Sequence, residues 1–286
     1  MDREASHEAR AMISAARRLA RAFALGASRV PFVRTVTSAV YERHFNRAAG
    51  RIRLFKGIYP DFPSALRAIP ERRQSGYDNE DSATRVIDEW MQIAPYDYPV
   101  LFWLSRLLPR CKALFDWGGN VGLKYFAYGK YLSYSPDLVW WVSDVPAVVA
   151  LGRRVAEREG ARALRFTTGL DGLDGADVLF AAGSIHFIDD PFATLRGAAT
   201  LPNHMLFCKI PAYDLPSAVT LQNMGSAICP YRLFNRAEFV ANVAGLGYRL
   251  VDEWKSPDCA CEIPFFPEHS IPAYSGFYFT KAAPES

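Results

Sequence analysis

Helical and strand-like hydrophobic patterns alternate along the chain from about residue 83 to its end. Short apolar runs, typical of buried strands, predict seven strands: residues 113–116, 138–143, 164–167, 178–182, 205–210, 248–254 and 276–280. Between them, helical patterns predict helices over residues 84–91, 98–107, 123–132, 147–159, 192–199 and 237–246. This alternation predicts an α/β domain over residues 83–286, with a mainly parallel sheet covered by helices on both faces. The last two strands predict an antiparallel hairpin at the sheet edge.

The first 82 residues predict a helical N-terminal subdomain. Apolar side chains around residues 12–23 fall on one face of a helix and arginines on the other, and further helices are predicted over residues 32–45 and 62–69. Residues 1–56 hold twelve Lys and Arg against four Asp and Glu, so this end is strongly basic. The basic face is either the solvated side of a packed helix or a surface for weak contact with an anionic membrane. No zinc-finger spacing or RNA-binding motif is present, so we expect no nucleic-acid partner.

The composition is that of a globular protein. Of 286 residues, 50% are hydrophobic, 14% aromatic and 22% charged, which is too apolar for a disordered chain. No apolar run approaches the roughly 18 residues of a membrane span. Five cysteines and no recognisable signal peptide lead us to expect a cytoplasmic protein without a disulfide framework.

The strongest local signal is a glycine-rich turn. Residues 114–122, Leu-Phe-Asp-Trp-Gly-Gly-Asn-Val-Gly, predict a strand that runs through Gly118, Gly119, Asn120 and Gly122 into a helix. Glycines in such a turn let the backbone approach a nucleotide or nucleoside closely. Such a turn can also serve only tight packing between strand and helix, so its surroundings must decide.

Two acids favour S-adenosylmethionine over a dinucleotide at this turn. Asp116, at the strand end, would repel a pyrophosphate but could receive the methionine ammonium. Asp144 closes the next strand, 22 residues after Gly122, close to the interval at which an acid reaches ribose hydroxyls. The alternative for Asp144 is a helix cap ahead of Pro146.

These motifs resemble class I S-adenosylmethionine-dependent methyltransferases. More narrowly, the sequence resembles a bacterial family of methyltransferases from polysaccharide and natural-product gene clusters, some of whose relatives resemble azetidine-2-carboxylate synthases. The matching stretches are residues 76–78, 115–122, 144–146, 184–191, 221–223, 231–234 and 276–279. The resemblance implies a Rossmann-like sheet with an antiparallel last strand, S-adenosylmethionine as cofactor, and Val145 and Ser184 as further cofactor residues. It also implies a small-molecule or glycan acceptor.

Other polar and aromatic side chains are candidates for acceptor binding and catalysis. His186, after the fourth strand of the domain, is the candidate general base, or else orders its own loop. Aromatic rings can hold a sulfonium or an acceptor, or simply belong to the core. Polar residues in the long segment after the fifth strand could orient an acceptor, or form local hydrogen bonds on a surface loop. These candidates are Tyr77, Tyr98, Tyr125, Tyr128, Gln222, Asn223 and Arg232.

Three functions therefore stay open. The leading one is methyl transfer to a small molecule. The first alternative is cyclisation of the cofactor itself to azetidine-2-carboxylate with release of methylthioadenosine, and the second is a non-catalytic binding module. Cys259 and Cys261 form a single pair without further spaced ligands, so we expect no metal site.

Overall fold

The computed structural model describes residues 31–49, 53–71, 73, 75–78 and 92–282. The helices predicted around residues 12–23 and over residues 84–91 lie outside these described residues. Within the described ranges, no helix combines the length and the apolar character needed to cross a membrane.

The seven predicted strands and the described helices occur in the predicted order. The strands are β1 (Leu54–Tyr59), β2 (Ala113–Trp117), β3 (Val139–Ser143), β4 (Leu164–Thr167), β5 (Val178–Ala182), β6 (His204–Ile210), β7 (Ala212–Tyr213), β8 (Ala218–Asn223), β9 (Ile228–Asn235), β10 (Tyr248–Ser256) and β11 (Tyr274–Lys281). Four of these, β1, β7, β8 and β9, were not predicted. The α-helices are α1 (Pro31–Arg47), α2 (Phe62–Arg67), α3 (Tyr98–Leu107), α4 (Leu123–Tyr128), α5 (Pro146–Arg158), α6 (Pro191–Arg196) and α7 (Arg236–Ala244). Helix α4 is shorter than predicted and ends where Gly129 follows it.

The main sheet has seven strands in the order β10-β11-β6-β5-β2-β3-β4. All neighbouring pairs from β6 to β4 are parallel, whereas β11 is antiparallel to both β10 and β6. The fold-class prediction is thus confirmed, and the terminal hairpin lies at the sheet edge with β10 outermost. Strands β3 and β4 follow β2 on one side of the sheet, whereas β5 and β6 lie on its other side. Open sheets of this kind bind ligands at the point where the strand order reverses in this way, here between β2 and β5.

Helices cover both faces of this sheet. One buried cluster joins α3, α4 and α5 to sheet residues such as Leu114 and Trp140. The other joins α6 and α7 to Phe115 and Phe207. Because successive side chains of a strand point to opposite faces, Leu114 and Phe115 belong to different layers. This explains why the strands are continuous apolar runs.

A second, four-stranded sheet was not predicted. Its order is β1-β8-β9-β7, with β1 antiparallel to β8 and β8 antiparallel to β9. Helices α1 and α2 were predicted and pack against it through Phe45 and Phe62. Strand β1 is an exception to the helical character predicted for residues 1–82. Its pairing with β8 joins it to the long segment between β6 and α7. The boundary at residue 82 stays a prediction.

Candidate functional site

The glycine turn between β2 and α4 has a backbone that other residues would not tolerate. Gly118 and Gly122 have φ of 77° and 87°. A Cβ at Gly118 would lie 2.2 Å from the Ser184 Cβ, and one at Gly119 would lie 2.4 Å from Asp116 Oδ2. Asn120 is also left-handed, with φ of 57°. The side chains of Ser184 and Asp116 therefore pack directly against the turn. The turn lies at the edge of the sheet where β2 and β5 end.

Asp144, at the end of β3, contacts this turn directly. Its Oδ2 accepts a hydrogen bond from the Asn120 backbone N–H at 2.9 Å, and its Oδ1 accepts one from the Val145 N–H at 2.8 Å. Burial raises the pKa of this carboxyl to about 6. The two acid-bearing motifs predicted from the sequence thus meet at one place.

The helix cap considered as an alternative for Asp144 is supplied by a different acid. Asp78 Oδ1 accepts a hydrogen bond from the Ala147 N–H at 2.8 Å, in the first turn of α5. The residue that precedes the helix, Val145, makes no side-chain cap. Asp144 therefore does not serve as the cap, and its oxygens keep lone pairs for a ligand. Sequence patterns did not reveal this capping role of Asp78, because the residue lies 69 residues from its partner.

Asp116 lies beneath the turn. Its carboxylate is 1% exposed and accepts a hydrogen bond from Trp140 Nε1 at 3.1 Å. Burial, and to a lesser extent the charge of Asp144, raises its pKa to about 7. A buried carboxylate with one donor gains strongly from a nearby cation. Contact with the methionine ammonium stays a prediction.

Tyr77 and Ser184 flank the turn on two sides. The Tyr77 hydroxyl accepts a hydrogen bond from Asn120 Nδ2 at 3.0 Å. The Gly76 N–H bonds to the Ile228 carbonyl at 3.3 Å, which ties this segment to β9. Ser184 donates to the Trp117 carbonyl and fills the space beside the first glycine. Tyr77, predicted as a substrate residue, thus lies beside the glycine turn.

His186 is buried just beyond the end of β5. Its ring is 3% exposed and packs against Tyr231 at 4.2 Å and Phe187 at 4.5 Å between centroids. Its Nδ1 is buried and has no hydrogen-bond partner among the residues that the structure describes. Burial, with the nearby charges of Lys209 and Arg53, lowers its pKa well below the ordinary value. Such a ring is neutral at physiological pH and a weak base, so the general-base role stays a prediction that this environment disfavours.

Three predicted tyrosines are separated by the structure. Tyr128 is fully buried and donates to Asp97 Oδ1 at 2.6 Å, within the core on one face of the main sheet. Tyr125 is partly exposed and stacks on Tyr134 at 5.1 Å. Tyr98 is 63% exposed on α3. Tyr128 therefore has a structural hydrogen bond, and no common aromatic wall forms from these three rings.

The polar candidates after β6 lie in the second sheet. Asn223 is fully buried and donates to the carbonyls of Phe45 and Ala48. These hydrogen bonds make Asn223 an anchor for the end of α1. Gln222 is buried beside it in β8, and Arg232 of β9 pairs with Asp189 at 3.2 Å. Their predicted contact with substrate stays untested.

Two lysines that were not singled out from the sequence are buried near the site. Lys124 forms an ion pair with Asp97 at 2.7 Å. Lys209, near the end of β6, is 6% exposed, and burial lowers its pKa to about 8. Both ammonium groups face the ring of Tyr96, at 5.1 and 4.6 Å from its centroid. The available signal was Lys209 itself, a charge inside the apolar strand His-Met-Leu-Phe-Cys-Lys-Ile.

The cysteines do not form a metal site among the described residues. Cys259 and Cys261 are both free and buried. Across the part of the chain that the structure describes, no group of three His, Cys, Asp or Glu side chains could hold a metal ion.

No protein-family model matches the sequence, and no curated protein matches it. Similar solved structures include the 1,6-didemethyltoxoflavin N1-methyltransferase of Burkholderia thailandensis with bound S-adenosylhomocysteine. It is 17% identical, with a TM-score of 0.48, over 71% of this chain and 85% of that one. The CcbJ methyltransferase of Streptomyces caelestis is 18% identical, with a TM-score of 0.46, over 69% and 95% of the chains. OxaC, in complex with S-adenosylhomocysteine and oxaline, is 14% identical, with a TM-score of 0.48, over 72% and 52%. At these levels of similarity, the neighbours do not assign a ligand or a reaction to this chain.

Proposed function

We propose that this protein is an S-adenosylmethionine-dependent methyltransferase that acts on a small-molecule acceptor. The observation that carries the proposal is the contact between Asp144 and the glycine turn. It places a carboxylate that does not cap α5 against a turn in which Gly118 and Gly119 leave no room for a Cβ, near the point where the strand order reverses.

The residues around the turn suit the cofactor. The backbone from Gly118 to Gly122 would approach the nucleoside, and the Asp144 oxygens would accept hydrogen bonds from the ribose hydroxyls. The buried Asp116 would balance the methionine ammonium. When bound, S-adenosylmethionine supplies a methyl group on a cationic sulfur. The chain's own part is to orient the two reactants in line, which can account for several kcal/mol of the barrier.

The segment that joins the second sheet to the glycine turn suits a site from which water is excluded. Segment 76–78 connects β9 to the glycine turn through Gly76 and Tyr77, and Asp78 fixes it to α5. We expect a segment held between two elements in this way to cover this edge of the main sheet. A covered site strengthens electrostatic interactions with a charged cofactor.

Calorimetric titration with S-adenosylmethionine and S-adenosylhomocysteine tests the proposal. We expect both to bind at one site per chain, and we expect S-adenosylhomocysteine to form only when an acceptor is present. Formation of methylthioadenosine from the protein and S-adenosylmethionine alone would instead establish the cyclisation reaction. Binding of neither nucleoside would refute the proposed function altogether.

A further inference from the structure

Asn120, in the middle of the glycine turn, has a strained backbone that its hydrogen bonds hold in place. Its φ of 57° lies in the left-handed region, which is unfavourable for residues other than glycine. Its N–H donates to Asp144 Oδ2 at 2.9 Å, its Oδ1 accepts from the Val121 N–H at 2.8 Å, and its Nδ2 donates to the Tyr77 hydroxyl at 3.0 Å. Strained residues persist where their surroundings fix them, so these contacts determine where the Asn120 N–H points.

The contact between Asn120 and Tyr77 has a defined direction. Because the Val121 N–H needs the amide oxygen of Asn120, the amide nitrogen must face Tyr77, and the Tyr77 oxygen is the acceptor. Burial, and to a lesser extent the charge of Asp144, raises the pKa of the Tyr77 hydroxyl, which therefore stays protonated. Asn120 is 4% exposed, so without this hydroxyl its amide nitrogen would lose an acceptor in a place that water hardly reaches.

Tyr77 is itself fixed by the residues on either side of it. The Gly76 N–H donates to the Ile228 carbonyl at the start of β9, and Asp78 Oδ1 accepts from the Ala147 N–H in the first turn of α5. Because these anchors immediately precede and follow Tyr77, the second sheet and α5 set the position of its hydroxyl. The glycine turn thus receives its hydrogen bond from a firm support.

The Asp144 carboxylate depends on Asn120 for its orientation toward the turn. Its two oxygens accept one N–H each, from Asn120 and from its own neighbour Val145. The bond to Val145 is local, so the bond from Asn120 is the one that ties the carboxylate to the turn. A carboxylate that is fixed before the ligand arrives loses less conformational entropy on binding, which raises affinity.

On the basis of the proposed function, we propose that Tyr77 is a positioning residue whose hydroxyl, through Asn120, aims the Asp144 carboxylate at the ribose hydroxyls of the cofactor. The sequence predicted Tyr77 as a substrate residue, whereas this role requires no contact with the substrate. Loss of the hydroxyl loosens the groups that meet the ribose and leaves the rest of the cofactor site in place. It therefore weakens binding of a nucleoside with both ribose hydroxyls more than binding of one that lacks a hydroxyl.

Calorimetry on the full chain tests this role by comparing S-adenosylhomocysteine with its 2′-deoxy analogue. The quantity of interest is the ratio of the two dissociation constants. We expect wild type to bind the parent compound about tenfold or more tightly, the size typical of a hydrogen bond to a charged group, and we expect Tyr77→Phe to lower this ratio about threefold. A role confined to stability would change both dissociation constants alike and leave the ratio unchanged.

A matched control removes another buried tyrosine hydroxyl. Tyr248, at the start of β10, donates to the Pro202 carbonyl at the opposite edge of the main sheet. Tyr248→Phe should therefore keep the wild-type ratio, even where it lowers the free energy of unfolding.

Two further variants show whether Tyr77 acts through the turn. An Asp144→Ala background has no carboxylate to orient, so Tyr77→Phe should change the ratio there by less than about 1.5-fold. Asn120→Gly keeps the left-handed backbone and its N–H but removes the amide that meets Tyr77. It should lower the ratio as Tyr77→Phe does, and it replaces Tyr77→Phe in the test if that variant does not fold.

The outcomes separate this inference from the function on which it rests. The inference is overturned if wild type does not distinguish the two compounds, if Tyr77→Phe keeps the wild-type ratio, or if its effect is undiminished in the Asp144→Ala background. A wild type that binds neither compound refutes the proposed function as well.

Discussion

Replacement of Asp144 by asparagine tests the ribose assignment with little change in side-chain shape. The carboxylate presents two charged oxygens, each of which already accepts one backbone N–H. Hydrogen bonds to a charged group contribute about 1 kcal/mol more than those between neutral groups. With two ribose hydroxyls, the variant should lose about 2 kcal/mol, which corresponds to an increase of about thirtyfold in the dissociation constant of S-adenosylhomocysteine.

The same substitution has two opposite effects on stability. One of the two N–H groups, of Asn120 or Val145, loses its acceptor, which costs about 1–3 kcal/mol. The penalty for burying a charge is removed as well, since burial raises the pKa of Asp144 to about 6. We therefore expect a small net change in the free energy of unfolding, and the loss of affinity can be measured on folded protein.

Calorimetry on a pair of ligands makes this test specific. The 2′-deoxy analogue of S-adenosylhomocysteine lacks one ribose hydroxyl, and wild type should bind it more weakly than the parent compound. Asp144→Asn should lose about 1 kcal/mol of this discrimination, because a double-mutant cycle detects coupling between groups in contact. Asp137→Asn is the matched control, because Asp137 is exposed just before the opposite end of the same strand. Equal discrimination by Asp144→Asn and wild type would show that Asp144 does not contact the ribose.

Three further predictions address the turn, the second sheet and the buried acid. Gly119→Ala should abolish measurable binding of S-adenosylhomocysteine, because its Cβ would clash with Asp116, whereas the exposed Gly197→Ala should bind normally. Asn223→Ala should lower the free energy of unfolding in urea by about 2–4 kcal/mol, since buried carbonyls lose their donor; an unchanged stability would contradict the anchoring role. Asp116 has its pKa raised to about 7, so the folded wild type loses stability as pH rises from about 4 to 7. Asp116→Asn should therefore gain about 2.5 kcal/mol relative to wild type between pH 5 and pH 8 in urea unfolding, and a constant difference would refute the raised pKa.

The main sheet could be predicted because burial on both faces leaves a strong signal in the sequence. Strand β5, Val-Leu-Phe-Ala-Ala, is continuously apolar, and the helices between such runs require parallel neighbours. The carboxyl ends of neighbouring parallel strands lie at one edge of a sheet. The proximity of Asp144 to the glycine turn could therefore also be predicted. What failed was the helix length after the turn, where Gly129 ends α4 early.

The second sheet could not be predicted because its strands contain residues that normally indicate loops. Gly57 lies inside β1 with φ of 73°, and Pro230 lies inside β9. Strand β8 ends in Gln222 and Asn223, whose polarity suggested an exposed loop although both are buried. The pairing of β1 with β8 joins segments about 160 residues apart, so no local pattern records it. The cap that Asp78 provides for α5 could not be predicted for the same reason, because Asp78 lies 69 residues before Ala147.

Strand β9 connects the two halves of the proposed site. At its start, the Ile228 carbonyl accepts a hydrogen bond from the Gly76 N–H, and the neighbouring Tyr77 accepts one from Asn120 in the glycine turn. Three residues further on, Tyr231 packs against the buried ring of His186. The strand therefore supports the glycine turn at one position and the His186 ring at another. For the proposed methyl transfer, we expect β9 to help set the distance between the two reactants, which in-line transfer requires.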